Sequence, residues 1–191
     1  MRFISIIILV FIILTGCSDK QSLELVRSSV EISYDRAGKT GITSGEKEGE
    51  SIQPISLSYH FVLKNTDEDA IGGNEKLNKE TYEYEDGLKV NLEPSKKLIE
   101  VSKEVMGFNI FNEEERTEAK MGMGTETIPV LEANHEGEYD LDFDLGALEE
   151  NPEMRLAPSE EKLEKLINYA QDATLVIYIK DEEIARFDLT N

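Results

Sequence analysis

The stretch Ile55-Ser56-Leu57-Ser58-Tyr59-His60-Phe61-Val62-Leu63-Lys64 decides the fold class of this chain. Large apolar residues occupy every second position, and mostly small or polar residues lie between them. Successive side chains of a β-strand point to opposite faces, so this pattern predicts a strand with one face in the core. The turn-forming residues 65–69 that follow predict where the strand ends.

Comparable strand signals recur along the chain, and they favour antiparallel pairing over a βαβ sheet because neighbouring strands are joined by turns. In the segment 139–145, tyrosine, leucine and phenylalanine alternate with three aspartates. An apolar run at 173–179 and a return segment at 184–189 predict a closing hairpin. Further extended segments are expected at 30–34, 82–84, 88–92, 108–111 and 128–131.

Two segments have the spacing of amphipathic helices. Ser95 is a suitable N-cap, Gly107 is a suitable stop, and the apolar residues between them recur at helical spacing. Ser159 precedes a second apolar stripe that runs to Ala170. We therefore expect a mainly β fold with two helices, preferably an antiparallel immunoglobulin-like β-sandwich, with another α+β fold as the alternative. Segments 35–51 and 112–127 are expected to be long loops and the main contact surfaces.

The N-terminus has the organisation of a secretory signal peptide. Arg2 supplies a positive charge, residues 4–14 are apolar apart from Ser5, and small residues precede Cys17, the only cysteine of the chain. A membrane span needs about 20 apolar residues, so this run is too short to be one. The sequence predicts a signal peptide over residues 1–16.

Leu14-Thr15-Gly16-Cys17 resembles the lipobox of bacterial lipoproteins. The resemblance implies cleavage before Cys17 and a diacylglycerol, with acyl chains such as palmitate, on its sulfur. Two acyl chains are enough for stable anchoring in a membrane. Residues 17–22 would then be a lipidated tether and 23–191 a single extracytoplasmic domain. The alternative is an ordinary cleaved signal with a chance cysteine.

A second resemblance concerns residues 59–66, Tyr-His-Phe-Val-Leu-Lys-Asn-Thr. This stretch is similar to the central strand of small immunoglobulin-like lipoproteins of Gram-positive bacteria that have no defined function. The cysteine pair and the core tryptophan of antibody domains are not present, because the chain has one cysteine and no tryptophan.

The charge of the chain excludes one class of partner. Forty acidic residues against 20 basic ones give a formal net charge of −20. Nucleic-acid binding requires a basic surface, so we expect no nucleic-acid partner. The same charge opposes flat contact with anionic lipid, which leaves the acyl group on Cys17 as the expected contact with the membrane.

Asp140, Asp142 and Asp144 are the most concentrated acidic array. Alternate residues of a strand share one face, so the three carboxylates would repel one another unless a cation such as calcium lay between them. The spacing departs from an EF-hand loop, because Leu145 occupies the glycine position and Asn151 the twelfth. Asn65, Asp67 and Asp69 begin a similar spacing and depart from it as well. We expect a solvated strand face and a turn, respectively.

The remaining candidates are expected to be structural. His60 and His135 have no partner at ligand spacing, and Met121 and Met123 have no nearby histidine or cysteine to complete a soft-metal site. Ser44 lacks the motif that surrounds a catalytic serine. We therefore assign no catalytic residue, no metal ligand and no cofactor.

These observations favour a non-enzymatic, lipid-anchored binding or structural module of the bacterial cell envelope. Its partner would be an envelope protein or a wall component. Two alternatives stay open: an envelope enzyme whose carboxylates assemble only in the fold, and a calcium-binding module.

Overall fold

The computed structural model describes residues 22–36 and 39–190 and shows a mainly β chain with three short helices. The helices are α1 Lys96–Met106, α2 Glu113–Glu118 and α3 Glu160–Ile167. The strands of the described part are β1 Leu23–Ser33, β2 Thr40–Gly41, β3 Ser51–Ile52, β4 Pro54–Asn65, β5 Ile71–Gly72, β6 Leu88–Pro94, β7 Met123–Glu126, β8 Val130–Leu131, β9 Glu136–Ala147, β10 Ala173–Ile179 and β11 Glu182–Asp188.

The largest sheet has the order β1-β4-β9-β7, and every neighbouring pair is antiparallel. The strand predicted from 55–64 is β4, and it lies in the interior of the sheet between the two other long strands. Its register places Tyr59 opposite Val30 of β1 and Leu141 of β9. The alternating pattern therefore identified the strand on which this sheet is built.

A second sheet has the order β11-β10-β6 and is also antiparallel. The predicted hairpin of 173–179 with 184–189 is confirmed as β10 and β11. Two short ladders, β2 with β3 and β5 with β8, complete the described strands. Strands β6 and β7 each lie at an edge of their sheet and pair on one side only.

The core is one cluster of buried side chains to which both larger sheets and the helices α1 and α3 contribute. Tyr59 is fully buried, and its hydroxyl donates to the carbonyl oxygen of Ala170 at 2.8 Å. Its ring meets that of Phe143 edge-on with centroids 6.1 Å apart. The apolar stripes of both predicted helices contribute to this cluster, with Leu98, Val101, Val105, Leu163, Leu166 and Ala170 buried.

The predicted helix caps are confirmed for α1. The Ser95 side chain accepts from the backbone N–H of Leu98, and Gly107 ends the helix with φ 83°. Ser159 also occupies the N-cap position of α3, although its side chain makes no capping hydrogen bond. No helix in the described part of the chain combines the length and apolar character that crossing a membrane requires.

The prediction of two helices and of a loop over 112–127 was wrong, because α2 and β7 lie inside that segment. The Asn112 side chain accepts from the N–H of Glu115, and three glutamates occupy the first turn, where the helix dipole favours negative charge. These local signals offset the lack of an apolar stripe. β7 then pairs with β9, which no local pattern indicated.

Two predicted strands are also absent from the described structure. Tyr82 lies in a turn with φ 59°, and Tyr84 forms only an isolated bridge with Leu77. The segment 108–111 is a turn, because the Ser102 hydroxyl donates to the carbonyl of Phe108 and accepts from the N–H of Ile110. The predicted strand at 128–131 is reduced to β8.

Candidate binding site

The three aspartates lie on one face of β9, and β4 places polar partners opposite each of them. The register sets Asp140 opposite His60, Asp142 opposite Ser58 and Asp144 opposite Ser56. The expectation of a solvated face was wrong for part of this row, because Ser56, Ser58 and Asp142 are buried. Ser56 and Ser58 lie on an interior strand, between β1 and β9.

His60 has a partner that sequence spacing could not supply. Its Nδ1 lies 2.7 Å from Oδ1 of Asp140, and Nη1 of Arg36 donates to the same oxygen at 2.8 Å. Arg36 also approaches Glu31, with Nε 3.6 Å from Oε1. The charge of Asp140 is therefore balanced within the fold. His60 and Asp140 are 80 residues apart in the sequence. They meet because β4 and β9 pair in this register, which the sequence of either strand alone does not specify.

Asp142 and Asp144 have no such cation within ion-pair distance in the described structure. Burial raises the pKa of both carboxyls above their ordinary value. The Ser58 hydroxyl partly opposes this for Asp142, and the N–H of Gly122 donates to Oδ2 of Asp144 at 3.0 Å. Oδ1 of Asp142 is buried without a hydrogen-bond partner.

Among residues 22–36 and 39–190, no group of three or more histidine, cysteine, aspartate or glutamate side chains is arranged to hold a metal ion. Asn65 instead stabilises a turn, with its amide donating to the carbonyls of Asp69 and Leu131 and its Oδ1 accepting from Asp67. His135 Nδ1 lies 2.8 Å from the carbonyl oxygen of Ala133, two residues away.

The other predicted candidates lie in separate places. Met121 is buried, whereas Met123 is 46% exposed on β7. Ser44 lies at an exposed bend. Cys17 and the whole of residues 1–21 lie outside the described residues, so the signal peptide and the lipidation site stay predictions.

The segment 35–51, predicted as a contact loop, contains part of a small hairpin that contacts another loop. β2 and β3 form its ladder, and Ile42 is buried within it. The N–H and the hydroxyl of Thr43 both donate to Glu153 at 2.7 Å, and Lys47 pairs with Glu149 at 2.9 Å. Thr43 and Lys47 of this segment therefore bond to the loop that contains Glu149 and Glu153.

One concave surface lies where β6 and β7, edge strands of different sheets, approach each other. We call it the β6–β7 cleft, and its volume is about 410 Å³. Residues from both edges and from the preceding loop line it, notably Tyr82, Tyr84, Leu88, Val90, Thr125 and Glu126. In this region the N–H of Leu88 donates to the carbonyl of Pro129 at 3.0 Å, which joins the start of β6 to the segment that follows β7.

Tyr82 stands at this cleft with 80% of its surface exposed. Its φ of 59° is unusual for a bulky residue, and the backbone is held there by a turn in which Tyr82 N–H donates to the carbonyl of Asn78 at 2.8 Å. Lys89 and Glu83, also in the lining, approach to 3.5 Å. An exposed aromatic ring in a strained backbone conformation is a feature that functional sites often show.

A smaller cavity of about 180 Å³ is also lined by residues of β6 and β7, together with α2. Its lining includes Leu92, Phe111, Met123 and Phe143. Arg116 lies there 8% exposed, with its guanidinium 5.6 Å from the Phe143 ring centroid and Nη1 donating to the carbonyl of Ile110. Apolar side chains such as Leu92 and Met123 therefore lie beside the edge strands β6 and β7.

Comparison with known families, with curated proteins and with solved structures found no match to this chain. The function must therefore be argued from its own residues.

Proposed function

We propose that this chain is a lipid-anchored binding module on the extracytoplasmic face of a bacterial cell membrane. Cys17 carries the anchor, and the β-rich domain that follows binds an envelope protein or a wall component. The charge of −20 opposes attraction to anionic lipid, so the domain contacts the membrane only through its acyl chains.

The observation that carries this proposal is the position of the lipobox relative to the fold. Cys17 follows the short apolar run, and β1 begins at Leu23, so only residues 18–22 separate the proposed anchor from the first strand. A lipidated first residue with a short polar tether would hold the domain beside the membrane without using any of its surface.

For the architecture of the domain we propose an immunoglobulin-like β-sandwich. The antiparallel order of both larger sheets and their shared apolar cluster support it. The three helices support the alternative of another α+β fold, since an immunoglobulin-like sandwich is built without them.

Binding is the activity that the surface supports best. The β6–β7 cleft combines an exposed tyrosine, apolar side chains and the edges of two sheets, which are the features that interfaces use. The enzyme alternative has a weaker basis in the His60–Asp140 pair, because Arg36 shares the carboxylate that would orient the imidazole.

The anchor is tested by Cys17→Ala in cells supplied with an alkyne fatty acid. We expect the wild-type chain to be labelled and to sediment with membranes, and the variant to lose the label and leave the membrane fraction. Ser18→Ala is the matched control, because it changes the adjacent residue and leaves the sulfur in place. Labelling that persists in Cys17→Ala would refute the proposal.

A further inference from the structure

The main chain of β7 is open on the side away from β9. The carbonyl of Gly122 accepts from the N–H of Asp144 at 3.2 Å, so the backbone at this position faces β9. Backbone direction alternates along an antiparallel strand, which turns the groups of Gly124 and Glu126 toward β9 and those of Met123 and Thr125 outward. Every residue of β7 is exposed, and no strand of the described structure pairs with this side of it.

The side chains of β7 create two different faces for such a strand. Gly124 and Glu126 lie opposite Asp142 and Asp140, on the acidic face of the sheet. Met123 and Thr125 lie opposite Phe143 and Leu141, on the apolar side. An added strand would alternate in the same way, because successive side chains point to opposite faces.

The acidic face next to β7 lacks its own cations. Gly122 and Gly124 have no side chains to cover Asp144 and Asp142, and a Cβ placed on Gly124 would lie 3.6 Å from the Cβ of Asp142. In the described structure Glu126, Asp142 and Asp144 make no ion pair, whereas Asp140 is paired with Arg36. A lysine or arginine on a strand beside β7 is long enough to reach across Gly124 to this row.

We propose that the edge of β7 binds an extended polypeptide segment of a partner protein by β-strand addition, and that the segment alternates basic and apolar residues. The basic side chains contact the row of Glu126, Asp142 and Asp144, and the apolar ones enter the β6–β7 cleft beside Val90. Main-chain hydrogen bonds supply affinity, and the alternation supplies specificity. This inference deepens the proposed function by naming its site and the chemistry of its partner.

The test uses the whole chain in detergent micelles and a capped eight-residue peptide of alternating lysine and valine. A second peptide carries N-methyl groups on the valine nitrogens, which keeps the charge and removes hydrogen-bond donors. We expect the first peptide to bind, with backbone amide shifts concentrated at Met123 and Thr125, and the methylated one to bind at least about tenfold more weakly. Equal affinity of the two peptides, or no binding of either, would overturn the proposal.

Two variants distinguish binding at the β7 edge from non-specific attraction of the basic peptide to the negative charge of the chain. Gly124→Lys places a cation beside Asp142, and we expect it to weaken binding of the alternating peptide by about tenfold. Val26→Lys adds the same charge on β1, the opposite edge of the sheet, where Val26 is 45% exposed, and we expect less than about a twofold effect. Equal losses in both variants would show attraction to charge alone and overturn the proposal.

The experiments also distinguish strand addition from dimerisation through β7, and failure of the peptide-binding proposal from failure of the proposed lipid anchor. A dimer of the free chain that Gly124→Lys dissociates would assign the edge to a second copy and would also overturn the proposal. Peptide binding is measured on purified protein and does not depend on lipid, so it can fail while the fatty-acid label on Cys17 persists. In that case the anchored module would stand, and only its assigned site would be lost.

Discussion

Gly72→Ala is the substitution for which the structure defines both the mechanism and the magnitude of the effect. Gly72 lies in β5 with φ 85°, and a Cβ at this position would be 2.2 Å from the carbonyl oxygen of Pro129 and 3.0 Å from the nitrogen of Leu88. Those two atoms form the hydrogen bond that joins the start of β6 to the segment between β7 and β8, and both residues line the β6–β7 cleft. A methyl group there must therefore displace backbone.

The cost has two parts. A left-handed backbone conformation costs a residue with a Cβ about 1–2 kcal/mol, and losing the Leu88–Pro129 hydrogen bond costs about 1 kcal/mol. We expect Gly72→Ala to lower the free energy of unfolding by about 2–3 kcal/mol. Two other glycines serve as controls for these two contributions. Gly107 has a left-handed φ of 83° but no atom within 4 Å of an added Cβ, and Gly41 has neither a left-handed φ nor a close neighbour.

The measurement is urea unfolding of the whole chain, followed by circular dichroism. We expect Gly41→Ala to be neutral or stabilising by up to about 1 kcal/mol and Gly107→Ala to cost about 1–2 kcal/mol, with Gly72→Ala worse than both by the lost hydrogen bond. The comparison requires an unchanged dependence on urea, so that only the midpoint moves. If Gly72→Ala costs no more than Gly107→Ala, the close approach to Pro129 does not constrain this backbone and the argument is wrong.

Two further predictions concern the acidic row. Burial raises the pKa of Asp142, so the folded chain keeps a proton that the unfolded chain has lost, and stability falls as pH rises from the unfolded pKa through the folded one. Asp142→Asn should therefore stabilise the chain at pH ~7 more than at pH ~3, and an equal effect at both in urea unfolding would contradict this. For the calcium alternative, we expect the same melting temperature in calorimetry with calcium and with a chelator, because Arg36 already pairs with Asp140 and no three acidic or histidine side chains of the described residues are arranged to hold a metal ion. A calcium-dependent rise would restore that alternative.

The sequence predicted best those elements whose identity depends on local periodicity. The sequence predicted β4, β10 and α1 correctly because each has a local signal: alternating apolar residues in β4, an apolar run in β10, and caps with an apolar stripe in α1. β7 was missed because Met123-Gly124-Thr125-Glu126 has little intrinsic strand character and forms only by pairing with β9. The same limit applies to the site, since the His60–Asp140 contact and the β6–β7 cleft both depend on which distant strands become neighbours.

An exposed strand edge is normally an aggregation hazard, and the charge of this chain explains how one can persist. Two copies pairing through β7 would bring Glu126 and the Asp142–Asp144 row of each copy together, and each copy carries a net charge of −20. Like charges in adjacent strands oppose such pairing, so the acidic row protects the edge from a second copy. A basic segment beside β7 would instead be attracted electrostatically to Glu126, Asp142 and Asp144. On the strand-addition proposal, the acidic row that opposes pairing with a second copy would attract the basic side chains of the partner segment.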